Sequence, residues 1–252
     1  MVTEINQSVN RGISESTLKI IATLTMFIDH FGATVIYRYN FIYNLAGDNY
    51  NTFFVLYRVC RDIGRIAFPL YCFLLVEGFF HTRSTKKYIE RLAIFAIVSE
   101  IPFNLAIGRA WINFEKNNVG FTLLIGLVTI TLIDYFRKSF DNQVVSYLLQ
   151  CVAFVAASSF AYLLKTDYGA AGILAIVLVY VFYQNRILSV AAPVIALGFL
   201  SSYTEFFALI NIIPIAFYNG KQGIRIKKLY YSFYPLHLTL LAILCEIIGL
   251  GI

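Results

Sequence analysis

Three apolar stretches of the sequence carry ionisable side chains that could do proton-transfer chemistry. Asp29 and His30 are adjacent in the first stretch, Arg65 lies in the second and Glu100 lies in the third. An imidazole titrates close to neutral pH, so it can take a proton from an amine or a hydroxyl group. A carboxylate can orient the imidazole and stabilise its charged form. We therefore predict that His30 is a catalytic base and that the other three groups complete its site.

These four residues also allow a purely structural interpretation. An ionisable side chain at the centre of a membrane helix costs about 2.5–3.5 kcal/mol on insertion scales, so such groups need partners. An ion-pair cluster of this kind would lock three helices together. Asp29 precedes His30 by one position, and their side chains diverge by about 100° on an ideal helix. The pattern predicts that Asp29 pairs with Arg65. Glu100 or a water molecule would then orient His30.

The composition indicates that these residues lie in a membrane protein. Of the 252 residues, 59% are hydrophobic and 13% are charged, and the mean hydropathy is +0.72. Soluble domains are about 45–50% apolar and about 25% charged, and one soluble core of this length cannot bury so much apolar surface. We expect an all-α, polytopic helical membrane protein in which residues 1–252 form a single integral membrane domain. The net charge of +6 then reflects membrane orientation rather than binding to nucleic acid.

Membrane-spanning helices need about 20 apolar residues each. The sequence predicts nine: 18–37, 62–80, 88–107, 119–136, 143–164, 169–184, 187–201, 204–218 and 230–249. Residues 38–61 are predicted to form an amphipathic outer loop. Thirteen lysines and arginines fall on one side of these spans and five on the other. The positive-inside rule therefore places the N-terminus in the cytoplasm and the C-terminus outside.

The predicted orientation brings the ionisable residues to one depth. His30 and Glu100 each lie about 18 Å from the inner end of their spans, at 1.5 Å per residue. Arg65 lies in the outer third of a span that runs in the opposite direction. These groups can therefore share one layer, close to the middle of the bilayer.

A basic cluster lies between the second and third predicted spans. It contains Arg83, Lys86, Lys87 and Arg91, and Lys19 stands at the inner end of the first span. Such charges bind anionic lipid headgroups, or they bind the phosphates of a cytosolic cofactor. The charges alone favour contact with lipid.

Other polar residues in the spans form a second group of candidates. Glu77 lies near an inner end and can extend towards water. His237 follows Pro235, which kinks a helix and frees a carbonyl, and both helix packing and a role in the site remain open for it. The four cysteines have neither metal-ligand nor redox spacing, so no metal site is expected. Candidate hydrogen-bond donors to a reacting carbonyl oxygen are Arg65, Tyr71, Asn104 and Tyr234.

Several motifs resemble those of the TraX family, in the same order along residues 18–240. They are Ile28-Asp29-His30-Phe31-Gly32, Gly64-Arg65-Ile66-Ala67-Phe68-Pro69-Leu70-Tyr71, Leu75-Val76-Glu77-Gly78-Phe79, His81-Thr82-Arg83, Lys87-Tyr88 with Arg91-Leu92, Ser99-Glu100-Ile101-Pro102-Phe103, Phe121-Thr122-Leu123-Leu124-Ile125-Gly126, Tyr218-Asn219-Gly220 and Phe233-Tyr234-Pro235-Leu236-His237-Leu238. TraX-like proteins are similar to conjugation proteins that acetylate the N-terminus of pilin. They are grouped with membrane acyltransferases of the heparan-α-glucosaminide N-acetyltransferase and acyltransferase-three types.

The resemblance implies a role for His30 and for the basic cluster. In the wider group a histidine in the first span is the proposed base, and acyl-coenzyme A enters from the cytosol. A basic residue ten intervening positions earlier is typical, and Lys19 has that relation to His30. Lys87 and Arg91 are the nearest equivalent of a basic pair that opens the third span, although their spacing departs from the usual one. The resemblance therefore favours acetyl-CoA over lipid as the partner of the basic cluster.

The expected function is that of an acetyl-CoA-dependent acyltransferase in the bacterial inner membrane, with acyl-CoA and the lipid bilayer as partners. No serine or cysteine stands beside a candidate base, which favours direct transfer to an amine or a hydroxyl over a covalent intermediate. An acetyl-histidine intermediate stays open, and so does the acceptor: a pilin-like N-terminus, an amino sugar, a glycolipid or a peptide. A transporter or flippase, or a non-catalytic accessory factor, would also explain the buried charges.

Overall fold

The computed structural model describes residues 12–42, 47–224 and 227–251, and over these residues it is helical, with two isolated bridges and no named strand. The predicted all-α class is therefore confirmed for this part of the chain. The α-helices are α1 Glu15–Phe31, α2 Tyr37–Ile42, α3 Gly47–Gly64, α4 Ala67–His81, α5 Thr85–Phe103, α6 Val119–Ser139, α7 Gln143–Leu163, α8 Gly169–Val181, α9 Leu188–Leu200, α10 Ile212–Ala216 and α11 Lys227–Ile247. A 3₁₀-helix, Tyr203–Asn211, precedes α10.

Five helical stretches of the described chain are long and apolar enough to cross a membrane, which supports a multi-pass protein. They are Glu15–Asn40, Tyr50–His81, Thr85–Gly108, Val119–Ser139 and Gln143–Leu163. α8 and α9 have 13 residues each, or about 20 Å at 1.5 Å per residue, which is less than a hydrocarbon core of about 30 Å. The count of nine spans and the cytoplasmic N-terminus therefore stay predictions.

α4 is the central helix of the bundle. It is apolar on all sides, and its residues from Ala67 to Leu70 and from Cys72 to Glu77 are buried, as expected of a helix with protein neighbours all round. It packs against α1, α6, α8 and α9. We call the end of the bundle where α1 begins and α4 finishes the inner end, and the opposite end the outer end.

The prediction of a loop over residues 38–61 is wrong in the described part of that segment. Residues 38–42 are helical in α2, and residues 47–61 are helical in α3. α3 packs along α1 and leads through a turn at Arg65 and Ile66 into α4. The amphipathic pattern therefore marks a helix that lies against another helix. Tyr43, which was assigned to the loop, lies outside the described residues.

Two π-helical segments extend α1 and α5 at the outer end. Gly32–Ile36 follows α1, and Asn104–Gly108 follows α5. Beyond the first segment, the buried guanidinium of Arg38 donates hydrogen bonds to the carbonyls of Leu105 and Ala106, at 3.1 and 2.5 Å. From the sequence, Arg38 is one of the five outer-face cations and begins the predicted loop 38–61, but in the structure its guanidinium satisfies free carbonyls at the end of the second segment.

Candidate active site

His30 on α1 and His237 on α11 form a hydrogen-bonded pair. Nδ1 of His30 lies 2.7 Å from Nε2 of His237, and the rings stack with centroids 5.0 Å apart. Nδ1 of His237 lies 2.7 Å from the carbonyl of Phe233. A carbonyl only accepts, so this Nδ1 carries a proton, and Nε2 of a neutral His237 must accept from Nδ1–H of His30. The free lone pair of His30 is therefore on Nε2, so this atom can accept a proton as a base.

The structure therefore gives His30 a different orienting partner from the expected one. Glu100 does not bond to the imidazole. Its carboxylate accepts hydrogen bonds from the backbone N–H and the side-chain amide of Asn118, at 3.1 and 2.5 Å. Asn118 caps α6, and Glu100 lies on the side of α5 that faces this cap. Of the two interpretations left open for His237, the structure places its ring against His30.

Asp29 takes part in a buried ion-pair network instead of contacting the imidazole. Its carboxylate binds Arg61 at 2.6 Å and Arg65 at 3.1 Å, so the predicted pairing with Arg65 is confirmed. The other side of the Arg65 guanidinium binds Glu205 at 2.9 Å. A Cβ on Gly64 would lie 2.1 Å from Asp29 Oδ1, so only glycine lets α3 approach α1 closely enough for these pairs.

Sequence reasoning missed two members of this network. From the sequence, Arg61 is expected only to enter the second span, and Glu205, near the start of the predicted span 204–218, is expected to lie at the membrane interface. Glu205 is in fact fully buried, because the 3₁₀-helix Tyr203–Asn211 turns inward and packs against α4. The available signal was the second arginine near Arg65, because two guanidinium groups at the start of an apolar segment require more than one carboxylate.

A cavity of about 870 Å³ runs from the inner end of the bundle towards His30. Lys19 and Arg91 lie at its inner opening, and Met26 and Tyr234 lie at its deep end. Lys19, Met26 and His30 lie at positions i, i+7 and i+11 of α1, on one flank of the helix, with His30 about 17 Å above Lys19. His30 itself is not on the cavity wall. The ring of Tyr234, which is on the wall, contacts the ring of His30, and their centroids are 5.7 Å apart.

The predicted cofactor residues divide into two groups. Lys19 and Arg91 line the cavity, whereas Arg83, Lys86 and Lys87 do not. Lys19 pairs with Glu15 and lies over the ring of Tyr230. Only two of the five basic residues are therefore placed where they can reach a molecule inside the cavity.

The second group of candidates is also divided by the structure. Tyr71 and Tyr234 line the deep part of the cavity. The Tyr71 hydroxyl lies 3.2 Å from Thr23 Oγ1, whereas the buried Tyr234 hydroxyl has no hydrogen-bond partner. Asn104 is buried in the second π-helical segment, away from the cavity wall.

Glu77 does not extend towards water as expected. It is 6% exposed, and its carboxylate accepts hydrogen bonds from Tyr183 at 2.5 Å and from Tyr218 at 2.8 Å. Two hydroxyl donors satisfy the carboxylate inside the bundle, so it has no need of solvent. Glu77 therefore lies in the wall of the cavity, near the inner end.

A further carboxylate at the outer end was not anticipated. Asp167 lies in the connection between α7 and α8 and pairs with Lys116 at 2.6 Å. The motifs of the family hardly touch residues 140–200, so only the charge of Asp167 could have drawn attention to it. In the described residues, no group of three histidine, cysteine or carboxylate side chains is placed to hold a metal.

Comparison with known proteins gives one curated relative and one family. The relative is a probable fimbrial assembly protein FimC, serogroup H1, of Dichelobacter nodosus. It is 28% identical over an alignment that covers 92% of this chain and 96% of that protein. No solved structure matches. The family model of the TraX protein matches residues 14–245, which span the histidine pair, the ion-pair network and the cavity. The chain therefore belongs to the TraX family.

Proposed function

We propose that this protein is an integral membrane N-acetyltransferase that moves an acetyl group from acetyl-CoA to an amine, or to a hydroxyl. The observation that carries the proposal is the His30–His237 pair above a cavity whose opening is basic. Its membership of the TraX family supports acetyl transfer to a pilin-like N-terminus, and the name of the fimbrial assembly relative agrees with such an acceptor.

The cavity is suited to an acyl-CoA donor. Its volume of about 870 Å³ lies within the usual range of about 300–1,000 Å³ for ligand pockets. Lys19 and Arg91 at the opening would bind phosphates, and apolar side chains such as Leu75 and Leu92 would pack along the pantetheine arm. Met26 lines the cavity four residues before His30 on α1, and its flexible thioether would turn aside to let the acetyl group pass.

The histidine pair would supply the proton transfers. The thioester supplies an activated acetyl group. As the amine nitrogen bonds to the acetyl carbon, Nε2 of His30 takes the proton that the nitrogen loses. The carbon–sulfur bond breaks, and His30 returns this proton to the departing sulfur. During the reaction Nε2 of His237 accepts the hydrogen bond from Nδ1–H of His30 and stabilises the imidazolium. The aspartate of a Ser-His-Asp triad has the same role in other acyl transfers.

Tyr234 would stabilise the charge that develops on the acetyl oxygen. Its hydroxyl is buried, lacks a partner and lies at the end of the cavity next to His30. A donor that is held in place before the reaction needs little reorganisation, which makes it effective in a dry site. Among the other candidates, Arg65 is engaged by two carboxylates, and Asn104 is remote from the cavity wall.

The thiols and hydroxyls of the described chain support direct transfer. In that part of the structure no serine or cysteine side chain bonds to either imidazole of the pair. Cys60, Cys72 and Cys245 are buried without disulfide partners, and Cys151 is exposed on α7. A covalent intermediate would need an activated nucleophile beside the base.

We also propose that the protein lies in a bacterial inner membrane. Its inner end would face the cytoplasm, where acyl-CoA is available.

The test is an assay of thiol release from acetyl-CoA by the purified protein in lipid nanodiscs. The acceptor is a short peptide with a free N-terminus. We expect His30→Gln to lower turnover by about 10²–10⁴-fold, as is usual for loss of a general base, without changing the binding of CoA. Undiminished turnover in this variant would overturn the assignment. A transporter or an accessory factor would release no thiol even in the wild-type protein.

A further inference from the structure

The loop that joins α5 and its π-helical extension to α6 exposes three large apolar side chains. It comprises residues 109–118, lies at the outer end, and is called the 109–118 loop below. Its residues Trp111, Ile112 and Phe114 are 70%, 69% and 81% exposed. An exposed apolar cluster beside charged residues marks a surface that contacts another protein or a membrane. The proposed acetyl transfer gives this cluster no role.

Hydrogen bonds shape the first part of the loop. The backbone turns at Arg109, whose φ is +54°, and the N–H of Ala110 donates to the carbonyl of Asn104 at 3.3 Å. The side-chain oxygen of Asn113 then accepts a hydrogen bond from the N–H of Glu115 at 2.8 Å. An asparagine that bonds two residues ahead in this way stabilises a turn. The apolar cluster therefore stands on a defined backbone.

The last part of the loop is tied to several helices. Asn117 donates hydrogen bonds to the carbonyls of Lys165 and Leu164, at 3.0 and 2.5 Å, where α7 ends. The side chain of Asn118 donates to the carbonyl of Ala96 at 2.8 Å, on α5. The loop is thus held at both ends, and the apolar cluster has a fixed position relative to the bundle.

The surface of the bilayer is within reach of the cluster. The loop connects two stretches that are long and apolar enough to span a membrane, Thr85–Gly108 and Val119–Ser139. Trp111 follows the first stretch by three residues, which is at most about 11 Å of extended chain. The interfacial layer of headgroups extends about 5–8 Å beyond each side of the hydrocarbon core. The indole ring of Trp111 can therefore lie in this layer.

The residues around the cluster also suit a lipid interface. The guanidinium of Arg109 lies over the ring of Tyr37, 5.8 Å from its centroid. Tyr37 is 48% exposed near the outer end of the stretch Glu15–Asn40. Aromatic rings are enriched at headgroup level, and arginine side chains extend towards the headgroups there. Glu115 and Lys116 are exposed in the same loop, so the loop offers charged groups to the headgroups and apolar groups to the acyl chains.

We propose that Trp111, Ile112 and Phe114 insert into the interfacial layer of the leaflet at the outer end. The 109–118 loop is then a membrane anchor, and its partner is the lipid surface. Through Asn117 and Asn118 the anchor also holds the end of α7 and the start of α6 at a fixed depth. This inference involves neither the acetyl donor nor the acceptor, so it stands or fails separately from the proposed function.

Intrinsic fluorescence of the wild-type protein tests the proposal, because Trp111 is the one tryptophan of the chain. The protein is reconstituted into phosphatidylcholine vesicles whose acyl chains are brominated either near the headgroup or near the terminal methyl. We expect strong quenching by the shallow bromines and weaker quenching by the deep ones. Quenching by aqueous acrylamide with none by either brominated lipid would overturn the proposal, because the cluster would then face water or a second protein. Stronger quenching by the deep bromines would also overturn it, since the ring would lie in the hydrocarbon core.

The depth scale is calibrated with a tryptophan placed elsewhere. Val152 is 64% exposed near the middle of α7. The combination Val152→Trp with Trp111→Phe is the control, and the deep bromines should quench it more strongly than the shallow ones. The opposite order for Trp111 in the wild type is the expected result.

A double substitution tests whether the three side chains insert together. Ile112→Ser with Phe114→Ser keeps Trp111 as the probe but removes its apolar neighbours. Quenching by the shallow bromines should fall at least twofold, and emission should shift to longer wavelength. The matched control is Leu148→Ser with Val155→Ser, which removes two exposed apolar side chains from α7, and it should leave the quenching unchanged. Equal quenching in the loop variant and the wild type would overturn the proposal of a common anchor.

Discussion

His237 offers the sharpest test of how the site works, because it acts on the reaction only through His30. The substitution His237→Phe keeps an aromatic ring of similar shape between its neighbours. It therefore preserves the stacking on Phe233 and on His30, whose centroids lie 4.8 and 5.0 Å away. What the substitution removes is the acceptor that lies 2.7 Å from Nδ1 of His30.

The expected loss follows from that one hydrogen bond. A buried donor left without its acceptor costs about 1–3 kcal/mol, and a bond to a charged group contributes about 1.5–3 kcal/mol. This hydrogen bond stabilises His30 most strongly when the ring is an imidazolium, which forms during the reaction. Its loss therefore raises the activation free energy by about 1.4–3 kcal/mol. Each 1.36 kcal/mol is a factor of ten in rate. We therefore expect kcat to fall by about 10- to 150-fold.

The assay is steady-state thiol release, with kcat and KM measured separately. The KM for acetyl-CoA should not change, because His237 is not on the cavity wall. His237→Gln should recover part of the lost rate, since its amide oxygen can accept from Nδ1–H of His30. Full activity in the phenylalanine variant would refute the argument. So would equal losses in both variants, provided that their thermal stabilities match that of the wild type.

Two further predictions concern the ion-pair network and the donor cavity. Arg65→Met should lower the free energy of unfolding in mixed micelles by about 3–5 kcal/mol, because Glu205 is left as a buried unpaired charge. Arg61→Met should lower the free energy of unfolding by less, since Asp29 still pairs with Arg65. Equal losses in the two variants would contradict this account. The double substitution Lys19→Ala with Arg91→Ala should raise the KM for acetyl-CoA by at least tenfold but not that for S-acetyl-pantetheine, which lacks the nucleotide phosphates. Lys138→Ala, a cation away from the cavity, is the control, and a similar rise with both thioesters would show that these residues do not bind phosphate.

Much of the candidate site could be predicted from local sequence. The hydropathy pattern locates the helices, and the apolar context singles out Asp29, His30 and Arg65. The pairing of Asp29 with Arg65 follows from helix geometry, because neighbouring side chains on a helix point in different directions. The resemblance also draws attention to Lys19, which lies in the lining of the cavity.

The rest of the site depends on contacts between distant parts of the chain. His30 and His237 are 207 positions apart, and they meet only because α11 packs against α1. Glu205 was misplaced because hydropathy does not reveal that a 3₁₀-helix turns into the bundle. Asp167 was missed for a similar reason, since a short connection between two helices carries no periodic pattern that shows where it points.

The π-helical segment Gly32–Ile36 absorbs one residue between His30 and Arg38. A π-helical turn holds an extra residue relative to an α-helix, so the helix before it and the helix after it keep nearly the orientation that they would have in a continuous α-helix. Deleting one residue there should therefore restore an ordinary α-helical turn, with His30 still against α11 and Arg38 still at the carbonyls of Leu105 and Ala106. Deleting one residue from the regular part of α1 before His30 would instead rotate the start of the helix by about 100° relative to His30, and would move Lys19 off the flank that faces the cavity.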